Sequence, residues 1–396
     1  MNNALVIYSG GLDTTVCLAL LRAEGVDDIT AVTIDVGQPA DDIDLAERRA
    51  AQMGVRQVTI DAKQEFADDY CSVAIAFNAD YYGYPLSTAI ARPLIARKAA
   101  EFALAEGPFG QIVHGCTGKG NDQFRIEYGL RANLPGVCVR APVRERNWTR
   151  SAEIEYAEAL GAPIGQSKEK IWSIDENLWG RSIEGGRLED PSYPPPEEIF
   201  AWTSSKKAAP NDPVQLDLAF EGGVPKSIGG KEFRICDLIQ ELNAVAGSHG
   251  IGRIDIMEDR LIGLKVRENY ECPAATVLVA AHKALESLVC TPEERRFKAL
   301  VDQAWAEHVY AGLWGDPFFA DLVGFSGGIE KRVTGSVKMD LYKGSATVLG
   351  RTSPFALYSE ADASFDDASF SQSSMTGMVQ AHGMSSLLYE KLKSDR

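Results

Sequence analysis

Ala4-Leu5-Val6-Ile7-Tyr8-Ser9-Gly10-Gly11-Leu12-Asp13-Thr14-Thr15 decides how the chain is read. Ala4 to Tyr8 runs without a polar interruption, as a parallel strand covered on both faces does. Gly10 and Gly11 follow, and paired glycines let a backbone turn sharply and approach a ligand closely. Thr15 to Ala23 then places Val16, Ala19, Leu20 and Ala23 on one helical face. A strand, a glycine turn and a helix in succession leave the first helical N–H groups free to bind an anion such as phosphate. Ser9, Thr14 and Thr15 add hydroxyl donors. The loop has no lysine, so backbone amides, hydroxyls and a metal ion bridged by Asp13 must hold the charge.

Outward from this stretch the alternation continues. Ala31–Ile34, Val58–Ile60, Gln111–Val113 and Val137–Val139 read as strands, and Asp42–Met53 and Leu94–Ala105 as helices. Such β-α-β succession predicts an α/β fold, a parallel sheet with helices on both faces and a ligand at the strand carboxyl ends. Beyond about residue 165 the pattern changes, with a Gly- and Pro-rich stretch over 180–196. Val214–Phe220 alternates like a strand with one wet face, and Phe233–Val245 and Ala274–Val289 read as helices. Val337–Leu341 and Thr347–Leu349 read as strands joined around Lys343-Gly344. We therefore expect an α/β nucleotide-binding domain over 1–165 and an α+β domain over 166–364. A C-terminal arm over 365–396 would carry Met384, Leu387, Leu388 and Leu392 at helical spacing.

Composition narrows the partners. The 396 residues hold 40 Lys plus Arg against 56 Asp plus Glu, a formal charge of −16. That excess of acid argues against binding nucleic acid through bulk charge. No apolar run approaches the roughly 20 residues of a membrane span, and Met1-Asn2-Asn3-Ala4 has no positive leader region. Seven cysteines at irregular spacing, with no C-x-x-C pair, suit reduced thiols in a cytoplasmic protein. The five histidines are scattered, and no dedicated set of metal-ligating side chains is assigned.

A second motif, His114-Gly115-Cys116-Thr117-Gly118-Lys119-Gly120-Asn121-Asp122-Gln123-Phe124-Arg125, follows the Gln111–Val113 strand. It is not a Walker-type loop, because Val113 and Gly120 stand where Gly and Ser or Thr would be needed. Arg125 can grip a carboxylate with two N–H groups, Asp122 can take an ammonium, and Thr117 and Asn121 can supply neutral hydrogen bonds. The constellation suits an amino-acid site beside a phosphate site.

The strand plus Ser-Gly-Gly-x-Asp-Thr resembles the loop of the ATP-pyrophosphatase (PP-loop) superfamily, whose fold is the adenine nucleotide alpha-hydrolase-like type. Its members include GMP, NAD and asparagine synthetases, tRNA thiolases and argininosuccinate synthases. The second motif resembles the His-Gly-Ala-Thr-Gly-Lys-Gly-Asn-Asp-Gln-x-Arg signature of the argininosuccinate synthase family, with Cys116 in place of Ala. Tyr84–Pro93, Trp172–Leu178, Gly180–Glu184, Gly250–Arg260 and Tyr270–Ala274 agree in order. The resemblance implies a homotetrameric enzyme of arginine biosynthesis. It would join citrulline to aspartate with ATP and Mg²⁺, through a citrullyl-AMP intermediate, giving argininosuccinate, AMP and pyrophosphate.

It also implies residue roles. Ile7, Tyr8, Ser9, Gly10, Gly11, Leu12, Asp13, Thr14 and Thr15 would hold ATP, with Ile34 beside the adenosine and Gly115 approaching by its backbone. Thr117, Asn121 and Asp122 would bind aspartate. Tyr84, Asn121, Arg125, Ser173, Ser182, Glu258 and Tyr270 would bind citrulline. Asp13 and Asp122 are the candidate catalytic groups, and Lys119 and Arg92 are further local cations. Ala89 stands where some relatives carry a serine. The rival readings are another PP-loop ligase, a tRNA thiolase and a nucleotide-binding protein without catalysis. The missing C-x-x-C and the acidic balance weigh against a thiolase.

Overall fold

The computed structural model describes residues 2–164, 172–366 and 371–394. The chain forms two compact units, Met1–Phe355 and Ala356–Arg396. The expected boundary between residues 165 and 166 lies outside the described residues.

The larger unit begins with β1 (Asn3–Ile7), α1 (Leu12–Ala23), β2 (Asp28–Asp35), α2 (Ala40–Gln52) and β3 (Arg56–Asp61). Short helices α3 (Lys63–Phe66) and α4 (Ser72–Ala76) lead to α5 (Ser87–Glu106), β4 (Gln111–Val113), α6 (Asp122–Asn133) and β5 (Val139–Arg140). α7 (Pro142–Glu145) and α8 (Arg150–Ala159) follow. The five strands form one parallel sheet in the order β3-β2-β1-β4-β5. The order reverses between β1 and β4, and ligands of such sheets bind where it does. Both glycine-bearing motifs leave the sheet at that crevice, one after β1 and one after β4.

β5 is shorter than the sequence suggests. Leu134-Pro135-Gly136 spends the preceding residues on a turn closed by Val137 N–H to Leu134 O, so Val137 and Cys138 precede the strand.

Next come β6 (Ser173–Asn177), β7 (Gly180–Glu184), β8 (Val214–Glu221), β9 (Val224–Ile228), β10 (Lys231–Glu232), α9 (Ile235–Ser248), β11 (Arg253–Asp259) and β12 (Lys265–Glu271). They are followed by α10 (Pro273–Val289), α11 (Pro292–Tyr310), α12 (Pro317–Glu330), β13 (Gly335–Tyr342) and β14 (Ser345–Thr352). β10-β9-β8-β13-β14 form one antiparallel sheet and β11-β12-β7-β6 another. The hairpin around Lys343-Gly344 is present, with both residues at positive φ. One apolar core runs from Leu5 and Val32 in the parallel sheet to Leu218, Leu278 and Trp305. The β6–β7 turn is tied to the start of α5, because Trp179 Nε1–H donates to Pro85 O at 2.9 Å and Asn177 Nδ2–H to Ser87 O at 3.1 Å.

The smaller unit contains α14 (Met375–Ala381) and α15 (Met384–Ser394) beside the short α13 (Glu360–Ala363). Met384, Leu387, Leu388 and Leu392 on α15 are exposed.

Gly10 turns the chain from β1 into α1 at φ +72°, and a Cβ there would lie 2.7 Å from Ala46 Cα in α2. Gly10→Ala should therefore cost roughly 2–3 kcal/mol from overpacking and left-handed backbone strain, read as a lower urea midpoint. Gly25→Ala, at φ +81° with open space around it, should lose only the smaller strain contribution. Equal losses in the two variants would contradict the close approach to α2.

Candidate active site between the first and fourth strands

The loop after β1 is held by its own hydroxyls. Ser9 Oγ and Thr14 Oγ1 lie 3.3 Å apart, Ser9 Oγ accepts from Gly11 N–H, and Tyr8 Oη pairs with Thr15 Oγ1 at 3.2 Å. Thr33 Oγ1 donates to Tyr8 O, and Arg49 donates to Gly10 O from α2. Ile7, the last residue of β1, pairs with Val32 of β2, and Ile34 is buried two residues further along β2. Leu12, Asp13 and Thr14 open α1, so their N–H groups lie at its amino end.

The chain after β4 lies directly against this loop. A Cβ on Gly115 would sit 3.0 Å from Asp13 Cβ and from Thr14 N. A side chain at this position would crowd the loop itself, so the glycine noted in the sequence fits the contact. Asp13 faces Glu153 of α8, a residue that sequence reasoning missed. Burial and the neighbouring Asp13 push Glu153 up to about 8, and burial raises Asp13. Glu153 Oε2 is buried without a hydrogen-bond partner.

Further along, half-buried Thr117 leads to Asn121 and α6. Asn121 Oδ1 accepts from Leu261 N–H at 3.0 Å, and Lys119 O accepts from Arg260 at 3.1 Å. The β11–β12 turn is thereby fastened to the motif. Asp122 accepts from Arg92 Nε at 2.8 Å and Arg125 Nη1 at 2.9 Å. Burial opposes ionisation of Asp122, but these two guanidiniums hold its carboxyl below the usual range. Arg92 also pairs with Asp175 of β6. Asp122 is therefore one carboxylate between two cations rather than an isolated ammonium acceptor.

Strand register gathers the rest. Asp175 pairs with Ser182, Ser173 with Glu184, and Ser182 with Tyr270. Tyr270 pairs with Ile254 across β11, and Glu258 lies four residues along from Ile254. Side chains alternate along a strand, so Ser173, Asp175, Ser182, Glu184, Glu258, Glu268 and Tyr270 share one sheet face. Ser173 is exposed at the edge of that face, whereas Glu258 and Tyr270 are buried. Tyr270 donates to Glu258 and stacks on Tyr84 at 4.2 Å between ring centroids. Tyr84 Oη accepts from the N–H groups of Thr88 and Ala89, so the Ala89 N–H is already engaged. Arg125 is buried and donates to Tyr310 O.

The sequence reading gave no role to Asp175, Glu184, Glu268 or Tyr310. Glu184 and Glu268 share Arg260, at 2.6 and 2.7 Å. The period of two within the Ser173 and Ser182 blocks was the available signal for Asp175 and Glu184. Among the described residues, no cluster of three or more His, Cys, Asp or Glu is arranged to hold a metal, and no helix is long and apolar enough to cross a membrane.

The two halves of the chain match two family models in sequence. Residues 3–163 match the Arginosuccinate synthase N-terminal HUP domain, and residues 172–389 the Arginosuccinate synthase C-terminal domain. The chain belongs to the argininosuccinate synthase family. Argininosuccinate synthase of Methanococcoides burtonii is 51% identical over 97% of each chain, and that of Methanocaldococcus jannaschii 51% over 98% of each. Among solved structures, NH3-dependent NAD synthetase from Campylobacter jejuni aligns with TM-score 0.31 and 13% identity, covering 41% of this chain and 65% of that one.

The family's His114 carries a pH consequence. Burial works against its protonation, but Cys116 and Glu127 outweigh that and push the imidazole up to about 9. The contact with His114, and Arg144 with it, pulls Glu127 down to about 2. His114 and Glu127 stand 3.5 Å apart without hydrogen-bond geometry, an ion pair when the imidazole is protonated, a form that must give up the bond His114 Nδ1 accepts from Cys116 N–H. The Glu127 contribution is present above its ordinary value of 4.5 and is lost as pH falls through about 2. The His114 contribution is present below 6.5 and is lost as pH rises through about 9. Glu127→Gln should therefore lower Tm most near pH 5–6.5, with a gap that narrows by about pH 9.5. A gap independent of pH would rule out the ion pair.

Proposed function

We propose that the chain is an ATP-dependent ligase that condenses L-citrulline with L-aspartate, giving argininosuccinate, AMP and pyrophosphate. The supporting observation is the contact of Gly115 with the Asp13–Thr14 turn, which sets an amino-acid motif against a phosphate loop in a chain of this family. Ile7 to Thr15 hold the ATP phosphates through α1 amides and hydroxyls, Ile34 lines the adenosine side, and Gly115 lets the backbone approach the nucleotide. Thr117, Asn121 and Asp122 bind aspartate, with Arg92 beside them for its carboxylates. Tyr84, Asn121, Arg125, Ser173, Ser182, Glu258 and Tyr270 bind citrulline.

A ureido oxygen is a poor leaving group, so activation comes first. The ureido oxygen bonds to the α-phosphorus, the bond to the β-phosphate oxygen breaks, and pyrophosphate leaves. The aspartate amine then bonds to the ureido carbon and gives up a proton to a phosphate oxygen of the departing nucleotide, and AMP leaves with the former ureido oxygen. The chain contributes by positioning and by compensating charge. Asp13 and Glu153 fit a magnesium ion, because the buried Glu153 Oε2 has no partner and Mg²⁺ takes one or two carboxylates beside phosphate oxygens. Bound there, the ion would neutralise phosphate charge. The protein is proposed to work in the cytoplasm as a homotetramer, without nucleic acid or membrane.

With ATP and Mg²⁺, the purified protein should release pyrophosphate in steady state only when citrulline and aspartate are both supplied. Release without either amino acid, or none at all, would reject the reading. Asp122→Ala should raise the KM for aspartate by ~10-fold or more, the order of one lost charged hydrogen bond, while the KM for ATP stays within about twofold. Equal rises in both would contradict the role given to Asp122. The exposed stripe Met384, Leu387, Leu388 and Leu392 supports a self-association arm. Deleting residues 371–396 should lower the mass in light scattering, and an unchanged tetramer would refute the arm.

A further inference from the structure

Tyr310 is the last residue of α11 and is buried. Three of its parts reach the two charged groups that receive the ends of an amino acid. Its carbonyl oxygen accepts from Arg125 Nε at 3.1 Å and Nη2 at 3.0 Å. Its ring lies under the same guanidinium, with Arg125 Cζ 5.0 Å from the ring centroid. Its hydroxyl donates to Glu258 Oε2 at 2.7 Å, while the other Glu258 oxygen accepts from Tyr270.

The surroundings hold Tyr310 in turn. Tyr81 stacks on it at 3.8 Å between centroids, with planes 12° apart. Two residues later Gly312, at φ +84°, packs on Arg125 so closely that a Cβ would lie 2.8 Å from Arg125 Cα. A guanidinium has five N–H donors. Nε and one Nη2 donor go to Tyr310 O, and one Nη1 donor goes to Asp122. One donor remains on each Nη nitrogen, so two N–H groups are left for a substrate carboxylate. Glu258 keeps a second lone pair on each oxygen, which is what an ammonium needs.

We infer that Tyr310 is a positioning residue that fixes the distance between Arg125 and Glu258 and so selects a substrate carrying both an α-carboxylate and an α-ammonium. This rests on the reading that Arg125 and Glu258 bind citrulline. Tyr310 makes the link because its carbonyl and its hydroxyl lie at opposite ends of one rigid residue. A side chain that only filled the core would need neither contact.

Tyr310→Phe keeps the carbonyl and the ring and removes the hydroxyl alone. In the full-length protein it should raise the KM for citrulline about tenfold, the scale of one hydrogen bond to a charged group. kcat and the KM values for ATP and aspartate should stay within about threefold. The sharper readout is discrimination against 5-ureidopentanoate, which has the carboxylate and ureido group of citrulline but no ammonium. The ratio of kcat/KM for citrulline to that for 5-ureidopentanoate should fall about tenfold in Tyr310→Phe, because the ammonium acceptor is no longer fixed. Gly312→Ala, which displaces Arg125 instead, should weaken both ureido compounds together. An active wild type whose Tyr310→Phe variant keeps the parent ratio overturns the inference and leaves the proposed reaction standing. A parallel rise in all three KM values does the same. A wild type with no citrulline-dependent turnover overturns both.

Discussion

The closeness of the chain after β4 to the chain after β1 is the constraint on which the site depends. Two adjacent parallel strands bring their carboxyl ends within a few ångströms, but side chains normally keep the loops above them apart. Gly115 removes that separation, since a Cβ there would lie 3.0 Å from the Asp13–Thr14 turn. A phosphate bound at the start of α1 would then lie beside the backbone that leads into Thr117, Asn121 and Asp122. Arg49 holds the same loop from α2 by bonding Gly10 O. Attack on an α-phosphate needs its partners within a few tenths of an ångström of contact distance. A loop held from both sides meets that demand better than one held by its own hydroxyls.

The second consequence concerns charge. The chain carries −16 overall, yet the proposed substrates bring phosphates and carboxylates. The structure resolves this locally. Arg92 and Arg125 flank Asp122, and Arg92 reaches on to Asp175. Arg260 lies between Glu184 and Glu268. Each arginine spends part of its fork on a protein carboxylate and is thereby oriented. An unpaired guanidinium would be freer to move, and ordering it on binding would cost rotamer entropy. The acidic partners therefore serve as supports for the cations.

Much of the parallel sheet was legible because its strands are short apolar runs followed by glycine or a charged turn, and their period differs from that of the helices. β1, β2 and β4 were readable for that reason, and so was the β13–β14 hairpin at Lys343-Gly344. The four-stranded sheet under the residues proposed to bind citrulline was not. Arg253-Ile254-Asp255-Ile256-Met257-Glu258-Asp259 and Lys265-Val266-Arg267-Glu268-Asn269-Tyr270-Glu271 carry charge on both faces. Alternation marks a strand when one face is dry and the other wet, and here the face with Glu258, Glu268 and Tyr270 is itself polar. Ser173, Ser182, Glu258 and Tyr270 were named from family blocks, because periodicity does not mark them. Tyr310 escaped both routes. It belongs to no quoted block, and its helix was not read from the sequence. What sets it apart is a pair of tertiary contacts, its carbonyl on Arg125 and its hydroxyl on Glu258, that no sequence pattern marks.

Glu153 and Asp13 show the same limit at the phosphate end. In sequence they are 140 positions apart, and nothing in Arg150–Ala159 marks an active-site helix. In the fold they form a carboxyl pair at the start of α1, where the helix dipole and free amides favour an anion. Two ionised carboxylates there would repel each other and an incoming phosphate. Holding a proton on Glu153, pushed up to about 8, removes one of those charges in the free protein. The loop can then present amides and hydroxyls to a polyanion although two acidic residues sit beneath it. The absence of lysine from Ser9–Thr15 is consistent with this arrangement, because loss of that proton would free the same carboxyl pair for the magnesium ion proposed to arrive with the nucleotide.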